Sequence, residues 1–262
     1  MSATAVRRTV LAASAAALAL LATACGGSDD ADKAAEGKGD GASPAAASAP
    51  AAKALTAAEL EKTGLAQSDV KSGKVTTKVP AGDDIAAAKV TAADAACLPL
   101  ARAQAGVAQG EPASTAKRSW LGTPKKPASG TKPEDALLAA LDVNKTLIGL
   151  ASYDGGAAEA AVEGLTTAAQ KCAGGFTATV DGEKTKFLAV ATAAAPQGGD
   201  QGLAVTLTMA ADEGVKAPVK IVVVREGATV ATFSTVNLAA MASGKDYQAP
   251  ADIIAAQVAK LG

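Results

Sequence analysis

Two periods run through the chain and divide it into helices and strands. In "AAEAAVEGLTTAAQKC" the residues Ala158, Val162, Leu165, Ala169 and Cys172 recur at spacings of three and four, which predicts a helix with one buried face. Gly174 or Gly175 is expected to close it. Further on, "FTATV", "KTKFLAVAT", "GLAVTLTMA", "VKIVVV" and "ATVATFSTVNL" carry period-two or continuous β-branched runs. They are separated by turn signals at Asp181-Gly182 and at "REG", which predicts an antiparallel meander. "KTLIGLASYDGG" reads as a buried strand leading into a turn, and "GKVTTKV" as a strand alternating Val75, Thr77 and Val79. In "LTAAELEKTGL", Thr56 and Glu59 form a capping box for a short helix ending at Gly64. A last helix starts at Pro250 and buries Ile253, Ile254, Val258 and Leu261. "VTAADAACLPLARA" reads as helical until Pro99 interrupts it, and residues 113–133 read as loop. The fold class is therefore α+β, a mainly antiparallel sheet with helices packed on it, one of them C-terminal.

The first 54 residues follow neither period. Arg7 and Arg8 precede an alanine-rich apolar run from Thr9 to Ala24, shorter and weaker than the roughly 20 apolar residues a membrane-spanning helix needs. A charged start, an apolar centre and small residues at the end identify residues 1–24 as a secretory signal peptide. The pair of arginines leaves open whether export follows the general or the twin-arginine route. Residues 25–54 are glycine, alanine, serine, proline and scattered charge, the composition of a flexible linker. As a coil, such a segment reaches about 30 Å. Residues 55–262 are left as a single extracytoplasmic domain, long enough to bury a real core.

Cys25 stands where leader meets linker. "LATAC" resembles the lipobox of bacterial lipoproteins, in which the cysteine receives a diacylglyceryl group and becomes the mature N-terminus. The usual leucine three residues before the cysteine is here Ala22, with Leu21 one step further back. "ATA" also satisfies the rule for ordinary signal cleavage, which would release a soluble protein beginning with a free cysteine. The lipid reading agrees with the physics of anchoring, since two acyl chains hold a protein stably where one does not. It places the protein on the outer face of the cytoplasmic membrane.

Charge and composition narrow the functions. Of 25 basic residues, removal of Arg7 and Arg8 with the leader leaves 23 against 26 acidic ones, a net of −3. A nucleic-acid partner is not expected, because that binding needs a clustered positive surface. The chain contains no histidine, so histidine-dependent triads and histidine-ligated zinc are excluded. Aromatics are only 2%, and Trp120, Phe176, Phe187, Phe233, Tyr153 and Tyr247 are expected chiefly in the core. With Cys25 assigned to lipid, Cys97 and Cys172 remain in an exported, oxidising setting. A disulfide is the economical pairing, and two separately buried thiols are the alternative.

The order of elements carries a resemblance. A cysteine in "DAACLPL", a strand ending in "ASYDG", a helix ending in "AAQKC", several antiparallel strands and a closing "IIAAQVAKLG" helix resemble the extracellular sensor domain of the actinobacterial PknH-type kinases and its lipid-anchored relatives. That family implies a sheet with helices packed on it, a groove for an unidentified ligand, and no enzymatic activity. Its members generally carry two disulfides, whereas this mature domain has cysteines for one.

Other chemistry finds little support. "SDVK", Ser68 to Lys71, fits the S-x-x-K pattern of penicillin-binding proteins, but "KTG" at Lys62 precedes it instead of following, and no S-D-N element is present. Asp29, Asp30 and Asp32 lie in the linker, and Asp83 and Asp84 lack the spacing of a calcium loop. No metal or cofactor is expected. Lys117, Arg118, Lys125, Lys126 and Lys132 form the most basic stretch, read mainly as a solvated loop and otherwise as a contact for anionic headgroups or wall polymer. The expectation is a non-enzymatic lipoprotein that binds a small ligand in sensor-like fashion, with docking of an envelope enzyme or wall component as the alternative.

Overall fold

Thr56 accepts a hydrogen bond from the Glu59 backbone, and the Thr56 N–H in turn donates to the Glu59 carboxylate at 2.8 Å. The capping box thus starts helix α1, Ala57–Thr63, as the sequence implies. The computed structural model describes residues 52–124, 126 and 129–262; Cys25, the leader, most of the linker and Lys125 lie outside them. After α1 come strands β1 (Lys74–Thr76) and β2 (Val90–Ala92), helix α2 (Leu98–Gln104), strand β3 (Ser114–Leu121), helix α3 (Pro133–Leu141) and strand β4 (Asn144–Ser152). Helix α4 (Ala157–Lys171) leads into the meander β5 (Phe176–Val180), β6 (Glu183–Ala193), β7 (Gln201–Ala210), β8 (Lys216–Glu226) and β9 (Thr229–Asn237). Helices α5 (Leu238–Ser243) and α6 (Ala251–Val258) end the chain.

All nine strands form one sheet in the order β1-β3-β4-β9-β8-β7-β6-β5-β2, with every neighbouring pair antiparallel. The fold is α+β, with the expected meander and C-terminal helix. Asp181 and Gly182 both have positive φ, the backbone of the tight hairpin turn that joins β5 to β6.

The sheet has a core on each face. On one, α2 and α4 cover Leu203, Val205, Val219, Ile221 and Val223, and the expected stripe of α4 is buried in full. On the other, α1 and α6 cover Trp120, Ile148, Leu150, Val222 and Phe233. The inner strand β9 is buried at eight of its nine positions, which is why its sequence reads as a continuous apolar and β-branched run. Gln257 of α6, fully buried, accepts from the Leu65 N–H and donates to the Thr63 carbonyl, both at 2.8 Å. One amide side chain thereby joins the last helix to the end of the first. Phe176 and Phe187 pack with ring centroids 4.8 Å apart.

Four expectations change. Pro99 does not interrupt a helix; it stands in the first turn of α2, where its missing N–H has no intrahelical partner to lose. The residues before it form β2 and a 3-10 turn at Ala95–Cys97. Within residues 113–133, Ser114–Leu121 is a strand, hidden because its inward face is Ala116, Arg118 and Trp120. The basic stretch is also not one surface. Adjacent strand residues point to opposite faces, so Lys117 and Arg118 part company, and Arg118 is buried at 4% exposure. The strand around Val75 ends at Thr76, short of Thr77 and Val79.

Candidate functional site

A cavity of about 290 Å³ opens over strands β3, β4 and β9. Its floor is built by register. Lys117, Gly149 and Thr232 lie side by side across β3, β4 and β9, with Thr115, Ala151 and Val230 as the next row. Gly149 and Ala151 have almost no side chain, so neighbouring backbone can approach the middle of this patch. A glycine inside a strand often marks such a close approach, and here the Gly106 carbonyl would lie 3.2 Å from a Cβ at Gly149.

Two segments close the cavity, residues 84–87 and residues 106–110. The first is strapped down by lysines: Lys117 Nζ donates to Asp84 Oδ1 at 2.9 Å and to the Ile85 carbonyl at 3.0 Å, and Lys145 Nζ donates to Asp83 Oδ1 at 2.7 Å. Asp83 and Asp84 are thus engaged in ion pairs. The second segment begins at Gly106, whose φ of +63° and contact with Leu147 exclude a larger residue. It is held by Tyr153, whose hydroxyl donates to the Gln109 carbonyl at 2.9 Å, while Gln109 Nε2 donates to the Pro99 carbonyl at 3.1 Å. Thr232 lines the cavity, and its hydroxyl has no protein partner among the described residues. The site therefore carries the Lys117 ammonium, threonine hydroxyls and the Gln109 amide, the ammonium and the amide already bonded within the protein. These groups bind by hydrogen bonding, and none is a paired nucleophile and base.

Burial pushes the Tyr153 phenol up to about 12 from an ordinary value of 10.0, and burial likewise raises Tyr247. These are the two tyrosines of the chain. Because the folded state holds the neutral phenol more strongly, the Tyr153 contribution to stability is complete below pH 10 and is lost as pH rises through 12. In a native spectrophotometric titration at 295 nm, neither tyrosine should ionise by pH 10.5, and ionisation should arrive together with unfolding. A titration near pH 10 that persists in Tyr247→Phe would show that Tyr153 is not sealed behind Gln109.

Cys97 and Cys172, each 2% exposed, are joined in a disulfide with their Cα atoms 5.9 Å apart. The bond ties the start of α2 to the end of α4. Trp120, Phe176, Phe187, Phe233 and Tyr153 are buried in the cores and Tyr247 is half-buried. Ser68 Oγ lies 3.4 Å from the neighbouring Asp69 carboxylate, and among the described residues no hydrogen bond joins it to Lys71. Among those residues, no group of three or more acidic or cysteine side chains is placed to hold a metal ion, and no helix is long and apolar enough to cross a membrane. Lys126 and Lys132 are exposed.

No family model matches the chain, and no curated protein matches it. Among solved structures, the chain is similar to the extracellular domain of PknH from Mycobacterium tuberculosis, with 14% identity over 80% of this chain and 97% of that one and a TM-score of 0.48.

Proposed function

We propose that this protein is a lipid-anchored, extracytoplasmic receptor for a small ligand, without catalytic activity of its own. The observation that carries the reading is the pocket over Gly149, a concave site formed by two strapped segments, where the Thr232 hydroxyl has no protein partner among the described residues. The buried disulfide fits an oxidising compartment. The leader and Cys25 supply export and anchor, and the linker gives the domain freedom above the membrane.

Native mass spectrometry of the protein released from its own membranes by mild detergent tests both parts at once. The expected spectrum shows a chain beginning at Cys25 with diacylglyceryl mass, plus a dissociable small molecule. Cys25→Ala should remove the lipid and shift the protein to the medium, and Thr232→Leu, which fills the pocket, should remove the small molecule alone. A lipid-free chain retained at the membrane would sink the anchor. A wild-type chain with no bound mass would sink the receptor reading and turn attention to an envelope partner, for which Leu137, Leu138 and Leu141 of α3 and Leu238 of α5 are exposed at 36% or more.

A further inference from the structure

The pocket over Gly149 is not the whole cleft. On the other side of the segment at Gln109 and Gly110, a groove of about 400 Å³ runs between α2 and α4, and Tyr153 lines both spaces. Leu98 and Pro99 of α2 form one wall, and Ala157, Ala161 and Gly164 of α4 form the other. The walls are apolar, and the α4 side is nearly flat. At Gly164 a Cβ would meet nothing within 4 Å, so the space there is real. The Cys97–Cys172 bond links the two helices, fixing the separation of the walls.

One group in this groove has no protein partner. Arg102 points from α2 into the lining, its Nε is buried with no hydrogen bond, and among the described residues no acceptor meets its guanidinium. The contrast with the other arginines of the domain is direct. Arg118 donates to Glu61 and to main-chain carbonyls, and Arg225 pairs with Asp200 at 2.9 Å and with Gln201 at 2.7 Å. A guanidinium is a permanent cation with five N–H donors in a planar fork, matched to carboxylate and phosphate. Enclosing part of it without an acceptor is unfavourable. Glu111, the acidic residue of the groove, is exposed and makes no ion pair with it among the described residues.

We infer that the α2–α4 groove binds an anionic amphiphile, its oxyanion headgroup paired with Arg102 and its apolar chain laid between Leu98 and the alanine face of α4. This rests on the receptor reading only in taking the domain to bind small molecules, and it deepens that reading by giving the ligand class. A carboxylate and a phosphate headgroup share the necessary chemistry. The charge of Arg102 selects either of them over a neutral chain of the same length.

Decanoate, decyl phosphate and decanol are the probes, added below their micelle-forming concentrations to the soluble mature domain, with the arginine Nε–H resonances followed by NMR. Both anions should shift the Arg102 resonance, which is assigned by its loss in Arg102→Gln. Both should bind about tenfold or more tightly than decanol, and whichever is tighter identifies the source as a fatty acid or a lipid phosphate. Arg102→Gln should erase the preference for the anions. Gly164→Leu should weaken all three probes by about tenfold while circular dichroism shows the fold retained. Equal binding of decanoate and decanol to the wild type, or binding of neither anion, would overturn the inference. Thr232→Leu separates the two claims: a native bound mass lost in that variant, from a domain that ignores both anions, leaves the pocket standing and removes the groove.

Discussion

Replacing Cys97 and Cys172 together by serine is expected to lower the thermal midpoint of the domain by roughly 10 °C, and adding reductant to the wild type should do nearly the same. The two cysteines stand 75 residues apart, and in the chain-entropy treatment a loop of that length limits the unfolded state by about 4.5 kcal/mol. For a domain of this size, one kcal/mol moves the midpoint by about 2–4 °C. Native packing absorbs part of the loss, because Ala101, Leu165, Ala168 and Ala169 already bury α2 and α4 against the sheet. Both sulfurs are nearly inaccessible to solvent, so the serine hydroxyls would enter an apolar core, which adds to the destabilisation. Melting curves of oxidised, reduced and double-serine protein decide the matter. A shift under about 3 °C would mean that packing alone sets the angle between the helices, and that the groove is not held by the bond.

What the sequence makes legible is what a single period or a covalent rule encodes. The stripe on α4, the Asp181-Gly182 turn, the capping box at Thr56 and the pairing of Cys97 with Cys172 each depend on residues close in sequence or on counting cysteines, and all are present. The failures share a cause. Pro99 has opposite meanings at the start and in the middle of a helix, and local sequence does not say which applies when the preceding residues pair with a distant strand. Here Val90–Ala92 pairs with β5, about ninety residues away along the chain. Helix α3 was hidden for a related reason. "PEDALLAAL" buries none of its residues, so no stripe against a core announces it.

The pocket was less legible still. Its floor depends on β4 lying between β3 and β9, and the chain separates β4 from β9 by four strands and a helix. Only after that pairing do Lys117, Gly149 and Thr232 form a row. Gly149 within "TLIGLAS" is the one local signal, since glycine weakens a strand unless something approaches it closely. Arg102 gave no signal, because a guanidinium without a partner looks the same in sequence as one with several.

Arg118→Met should destabilise the domain by about 3 kcal/mol, far more than loss of one surface ion pair. Its partner Glu61 is 55% exposed, and a carboxylate so placed returns to water when the arginine leaves. The main chain cannot do so as easily. Arg118 donates to the Glu61 carbonyl at 2.8 Å and to the Lys117 carbonyl at 2.9 Å, and each acceptor left without a partner in a buried setting costs about 1–3 kcal/mol. The unpartnered Nε offsets part of that gain in the wild type, which keeps the expected net near the lower end of the summed range. Glu61→Gln should therefore change stability by less than about 1 kcal/mol, and Arg118→Lys, with a single point of donation in place of a planar fork, should fall between the two. Gly64 supplies a second check. Its φ of −64° is open to any residue, yet a Cβ there would lie 2.7 Å from Arg118 Nη2, so glycine is required by the guanidinium and not by the turn. Gly64→Ala should destabilise the wild type but be nearly neutral or favourable in Arg118→Met, where the flexible thioether can move aside. The double-mutant cycle should then show a coupling of about 1 kcal/mol or more. Additive losses, or a Glu61→Gln variant as unstable as Arg118→Met, would mean that the ion pair and not the clamp on the end of α1 holds this corner of the fold.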